Sequence, residues 1–209
     1  AGKYRAEGYA FYRYGESYNT DASISNAKFV AGDFSSKVVS LGSESLDATL
    51  TAYPNDVNSA SNAFTNGYYK SQVEFAIESE SAIVFGYEGT HTLMRSWFIA
   101  GPIKLYRTGD FDYSLYQSQL EGLVTDAKAL QGQKMATGVS SALDNAVTTY
   151  DGQSCSSVAD YNTAYGILNT AISDAQTSIA NYTEAKTILD AANTYDADGR
   201  SEEHTSELQ

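Results

Sequence analysis

Alternation of apolar and polar residues with a period of two runs through the first half of the chain. From Gly109-Asp110 onward the period becomes helical. In residues 69–77, Tyr69, Ser71, Val73, Phe75 and Ile77 share one face and Lys70, Gln72, Glu74 and Ala76 the other, the pattern of a strand with one wet face. Residues 82–87 form a short apolar run with a β-branched centre. Residues 97–106 alternate through Trp97, Ile99, Ile103 and Leu105, interrupted by Gly101-Pro102. Proline cannot donate to a ladder, so an edge position or bulge is expected there. Upstream, residues 3–14 read as a strand with Tyr4, Ala6, Gly8, Ala10 and Tyr12 on one face. Tyr9 and Phe11 lie on the other, which predicts cover on both sides. Residues 27–31 and 34–41 read as two strands joined at Gly32-Asp33. Residues 15–26 and 42–62 are long polar loops, and 59–65 read as one helical turn before Asn66-Gly67. Three strands within residues 68–109 cannot bury an apolar face alone. They are therefore expected to form one half of an antiparallel β-sandwich of seven to nine strands, opposed by the earlier strands.

Beyond residue 110 the apolar stripes are helical. Residues 113–130 align Leu115, Tyr116, Leu120, Leu123, Val124, Ala127 and Leu130; residues 134–150 align Met135, Val139, Ala142, Leu143, Ala146, Val147 and Tyr150. A third helix is expected after a Ser156/Ser157 cap, with Val158, Tyr161, Tyr165, Leu168, Ile172, Ala175, Ile179 and Tyr182 in a near-heptad series. Short connections predict an antiparallel three-helix bundle. Residues 183–192 either extend the third helix or begin a new unit. The fold class is thus β plus α in two domains, with the β-sandwich at 1–110 and the helices at 111–199.

Four segments carry a resemblance: G-K-Y-R leading to F-Y-R, A-F-T-N-G-Y-Y, I-V-F-G-Y, and W-F-I-A-G-P-I-K-L-Y-R-T-G. Together they resemble the jelly-roll domain, similar to carbohydrate-binding modules, of large secreted and surface proteins of gut anaerobic bacteria. The resemblance covers residues 1–109. The family's last strand reads W-x-I-F-D-N-F-x-L-Y. This chain keeps Trp97, Ile99, Leu105 and Tyr106 but has Ala100-Gly101-Pro102 where Phe-Asp-Asn would stand. Any loop hydrogen bond or metal contact made by that Asp and Asn is therefore missing. The helical half resembles small three-helix spacer modules of bacterial surface proteins. The resemblance implies an extracellular or cell-surface location, and a domain that is monomeric within a larger chain.

The chain has 209 residues and a formal charge of −13, which disfavours nucleic acid and anionic membranes as partners. No apolar run is long enough to span a bilayer. Residues 200–209, RSEEHTSELQ, match the in-frame translation of a common sequencing adapter and are read as an artefactual tail. The tail carries one positive and three negative residues, so without it the charge is −11. A strand at the first residues, with no signal peptide before it, reads as a start inside a larger protein.

Candidate chemistry is sparse. His91 lies in THTLMRSW without a nucleophile or an orienting carboxylate in motif, and Cys155 lies alone in GQSCSSV as an inert thiol. Metalloprotease, paired-cysteine, nucleophile-elbow and phosphate-loop motifs are absent, so the chain is read as non-catalytic. A carboxylate pair of a glycoside hydrolase converges only in space and stays open at this point. Glycan binding needs a flat aromatic platform flanked by polar groups. Tyr14, Tyr18, Tyr53, Tyr68, Tyr87 and Trp97 lie near expected strand ends. Tyr18 and Tyr53, in the long polar loops, are placed ahead of Trp97 as ligand contacts, since Trp97 also suits core packing. No cofactor is expected. Asp47, Asn55 and Asp56 could hold a structural calcium by donor chemistry alone, without EF-hand spacing. The expected partner is a polysaccharide or a glycoprotein glycan. A purely structural stalk or adhesin scaffold segment is the alternative.

Overall fold

The computed structural model describes residues 1–15, 27–89 and 94–203, with side chains described through residue 194. The chain is mixed β and α, with antiparallel sheets and, among the described residues, seven strands and four α-helices. It divides into two compact units, Ala1–Leu115 and Tyr116–Gln209.

In the first unit the strands are β1 (Gly2–Arg13), β2 (Lys28–Ala31), β3 (Phe34–Lys37), β4 (Lys70–Ile77), β5 (Phe85–Glu88), β6 (Trp97–Ala100) and β7 (Lys104–Gly109). The long β1 is central. One edge pairs with β4, and the other pairs with β7 along its first half and β6 along its second. A second sheet has the order β3-β2-β5. The three segments of residues 68–109 therefore do not lie side by side, because β5 joins β2 in the other sheet. The reason is apolar on both sides: Phe29 of β2 stacks on Tyr87 of β5 at 4.4 Å, and Phe85 and Tyr87 reach Phe75 and Phe98 of the first sheet. The expected strand 34–41 stops at Lys37 because the chain then crosses to the first sheet. Val38 N still donates to the Ala27 carbonyl, while the Val39 carbonyl already accepts from Tyr12 N.

On the face of β1 toward the second sheet, Ala6 and Ala10 are fully buried and Tyr4 stacks on Phe75 at 5.4 Å. Gly8 is required there by close approach: a Cβ would stand 2.3 Å from Tyr87 Oη. Tyr87 Oη in turn shares a hydrogen bond with Ser71 Oγ at 3.1 Å.

The opposite face of the sheet carries a second apolar cluster, as the Tyr9/Phe11 pattern predicted. Phe11, Leu41, Leu50, Ala60, Ala63 and Tyr69 are buried together beneath α1 (Val57–Thr65) and residues 41–56. The single expected turn at 59–65 is a nine-residue helix, started by a capping box in which Asp56 accepts from Ser59 N and Ser59 Oγ contacts Asp56 N. Two sequence expectations change face here. Tyr69 has φ of +60° and turns out of the β4 alternation, so it packs at 4.5 Å on Phe11 instead of beside Ser71 and Val73. A left-handed residue of this bulk is uncommon, and the Tyr69 hydroxyl donating to Leu41 O together with Tyr69 N donating to Glu44 Oε1 holds it in place. Gly101-Pro102 splits the expected strand 97–106 in two. Ile99 of β6 lies opposite Phe11, whereas Leu105 of β7 lies opposite Ala6, on the other face.

In the second unit the helices are α2 (Ser114–Leu130), α3 (Thr137–Tyr150) and α4 (Val158–Glu203). Tyr116, Leu120, Val124 and Ala127 of α2, Leu143, Ala146 and Val147 of α3, and Tyr161, Ala164, Tyr165, Leu168, Ala171 and Ala175 of α4 are buried. Tyr165 Oη donates to the Tyr116 carbonyl at 2.5 Å and Tyr161 Oη to Gln117 Oε1 at 2.9 Å. Ser157 caps α4 by accepting from Asp160 N, as its sequence predicted. Residues 183–192 extend this helix, which runs without a break into residues 200–203. No helix among the described residues is long and apolar enough to cross a membrane.

Candidate functional site

A groove of about 480 Å³ opens between α1 and the link from β6 to β7. Its floor is aromatic. Tyr9, projecting from β1 on the side away from the second sheet, stacks on Phe64 of α1 with centroids 5.8 Å apart and planes inclined by 26°. Val57 and Ser61 of α1 form one wall, and Ile99, Gly101 and Pro102 the other. Gly101 N donates to the Tyr9 carbonyl at 2.7 Å, which pins the link against β1. A Cβ at Gly101 would come within 3.2 Å of Phe64 Cδ2, so a larger residue there would press on the platform. Lys104 is the charged residue at the rim. The volume lies within the range of about 300–1,000 Å³ common for small-ligand sites.

Tyr9 and Phe64 were not singled out by their sequence. The available signal was an outward aromatic beside Phe11 together with a glycine-proline break in the facing strand. What brings them together is α1, whose docking on the sheet no local pattern specifies.

Tyr53 is half-buried on the other flank of α1, where it lines a recess of about 220 Å³ with Thr51, Ser59, Asn62 and Asn66. Trp97 is half-buried against the cluster and meets Phe11 edge-on at 5.3 Å. Tyr53 and Trp97 thus border one apolar cluster without forming a shared surface with the groove floor. Tyr18 and His91 lie outside the described residues. Tyr14 packs on Tyr12, Tyr68 donates to Asp47, and Tyr87 is held between the sheets.

The oxygen donors considered for calcium are engaged locally. Asp47 accepts from Leu50 N at 2.8 Å, Thr49 N at 2.7 Å and the Tyr68 hydroxyl, and these bonds hold its pKa below the usual carboxylate value. Asp56 caps α1, with its pKa lowered chiefly by the Ser59 backbone N–H, and Asn55 Oδ1 accepts from Arg13. No group of three or more His, Cys, Asp and Glu among the described residues could hold a metal ion. Cys155 is a half-buried thiol whose pKa is raised by burial and then by Asp160, which disfavours the nucleophilic thiolate. Comparison with family models, with curated proteins and with solved structures returned no match.

Proposed function

We propose that the first unit is a non-catalytic glycan-binding module of a secreted or cell-surface bacterial protein. In this reading the two sheets form a jelly-roll β-sandwich and the helices a three-helix spacer, as the resemblance of residues 1–109 implies. The observation that supports it best is the Tyr9–Phe64 platform in an open groove. The stacked pair lines the groove with aromatic surface of the kind the C–H face of a pyranose packs on, and Ser61, Thr65 and the main chain at the β6–β7 link supply polar partners for hydroxyls. A rigid sheet fixes Tyr9, so little ordering is needed on binding. The partner is a polysaccharide or glycoprotein glycan. Tyr53 and Tyr18 remain candidate contacts for a second part of the ligand.

Titration of the full chain against soluble plant and host polysaccharides, beside Tyr9→Ala, tests the reading. Loss of the stacking contact weakens binding by about tenfold. Absence of binding by the parent chain to every polysaccharide refutes it. A structural stalk is the second reading, favoured by α4. Without the tail residues 200–203 its 46 residues become 42, about 63 Å at 1.5 Å per residue, and Ala175 is its last buried residue among the described side chains.

A further inference from the structure

The charge around the groove runs against the charge of the chain. Asp and Glu outnumber Lys and Arg by 26 to 13, yet no carboxylate lines the groove and its one charged lining residue is Lys104. The Lys104 side chain is exposed and forms no ion pair among the described residues. Its register partner on β1 is Glu7, but Glu7 is already ion-paired with Arg5 Nε at 2.8 Å and Lys70 Nζ at 3.3 Å. Three cations therefore surround one carboxylate on this face of the sheet. Lys70 also lies directly opposite Tyr9 in the β1–β4 register, so positive charge stands on both sides of the platform's sheet end. Glu74, opposite Arg5, stands four register positions from the Tyr9–Lys70 pair, and it does not line the groove.

From this arrangement we infer that the groove selects acidic glycans, with a sugar ring on Tyr9 and Phe64 and its carboxylate held by Lys104. The ligand class is a uronate-bearing polysaccharide or a sialylated glycan. A neutral sugar would leave Lys104 unused, whereas a carboxylate supplies the partner that Glu7 cannot. An acidic chain would otherwise repel such a ligand at long range, so a local cationic rim is what makes approach productive.

The inference rests on the glycan-binding reading, and the experiment separates the two. The full chain is titrated calorimetrically with polygalacturonate, its fully methyl-esterified form, a neutral galactan, 3′-sialyllactose and lactose, and with decanoate as a non-sugar anion. Expected is binding to polygalacturonate or sialyllactose that weakens with added salt and is lost on esterification or desialylation. Lys104→Gln should weaken it by a factor of about five, the upper range for an exposed ion pair, and Lys104→Arg should restore it. Equal binding of acidic and neutral sugars, unchanged in Lys104→Gln but reduced in Tyr9→Ala, overturns the charge selection and leaves the glycan reading standing. Binding of decanoate with none of the sugars, or no binding at all, overturns both. Thermal melts of each variant establish that the fold is retained.

Discussion

Replacing Gly8 by alanine tests the packing between the two sheets at one atom. The new Cβ would sit 2.3 Å from Tyr87 Oη, with Ile103 Cγ1 and the Pro102 carbonyl each at 3.5 Å. A hydroxyl at the end of a side chain can often swing aside, but Tyr87 is confined. Its ring stacks on Phe29 at 4.4 Å, contacts Phe98 at 5.6 Å and is tied to Ser71 through its hydroxyl. Burial pushes its pKa up, as expected for a phenol held between sheets. Displacing it costs about 1–3 kcal/mol of overpacking, and about 1 kcal/mol more if the Ser71 bond is lost. Against this, alanine in a strand gains about 0.5–1 kcal/mol over glycine in backbone entropy. Because moving the ring breaks the Ser71 bond, the net expectation is a loss of about 1–3.5 kcal/mol. The chain's one tryptophan, Trp97, lies in the first unit, so its fluorescence in urea reports that unit alone. The double variant with Tyr87→Phe removes the colliding oxygen and should recover much of the loss. A neutral or stabilising Gly8→Ala, or a double variant that is simply additive, refutes the argument.

Trp97→Ala should destabilise the first unit by about 2–3 kcal/mol, less than the 3–5 of a fully buried aromatic because Trp97 is half-buried; circular dichroism melts read it, and no change would show that the ring serves only a ligand. Tyr165→Phe removes the buried donor to the Tyr116 carbonyl and should cost the helical unit about 1 kcal/mol, measured by far-ultraviolet unfolding. Asp112 is held at a pKa of about 2, first by its hydrogen bond from Lys3 and then by Ser114. A depressed folded-state pKa gives stability that is present above the unfolded carboxylate value and lost as pH falls through the folded one. Stability should therefore decline from about pH 4 toward pH 2, and Asp112→Asn should flatten that part of the curve. A carboxyl titration by NMR with a midpoint near 4 would refute it.

The division of the chain into strands and then helices was legible because side-chain periodicity is local. Ser71, Val73 and Phe75 are buried while Lys70, Gln72 and Glu74 are exposed, and the α2 stripe and the first part of the α4 stripe, as far as Ala175, match their spacing, whereas Tyr182 is exposed. The Ser157 cap needed only its own neighbours. Which strand pairs with which was not legible, since β5 reads the same whether it lies beside β4 or β2. Its partner is fixed by Phe29 and Phe75, residues far away in the chain. The face of Tyr69 was likewise hidden, because one left-handed residue inverts an alternation that composition leaves intact. The groove depends on both kinds of information. Its sequence supplies an outward aromatic at Tyr9 and a break at Gly101-Pro102. Only the tertiary structure sets Phe64 of α1 on that ring and leaves Lys104 beside a Glu7 already shared by Arg5 and Lys70, because such contacts form between segments that no local pattern relates.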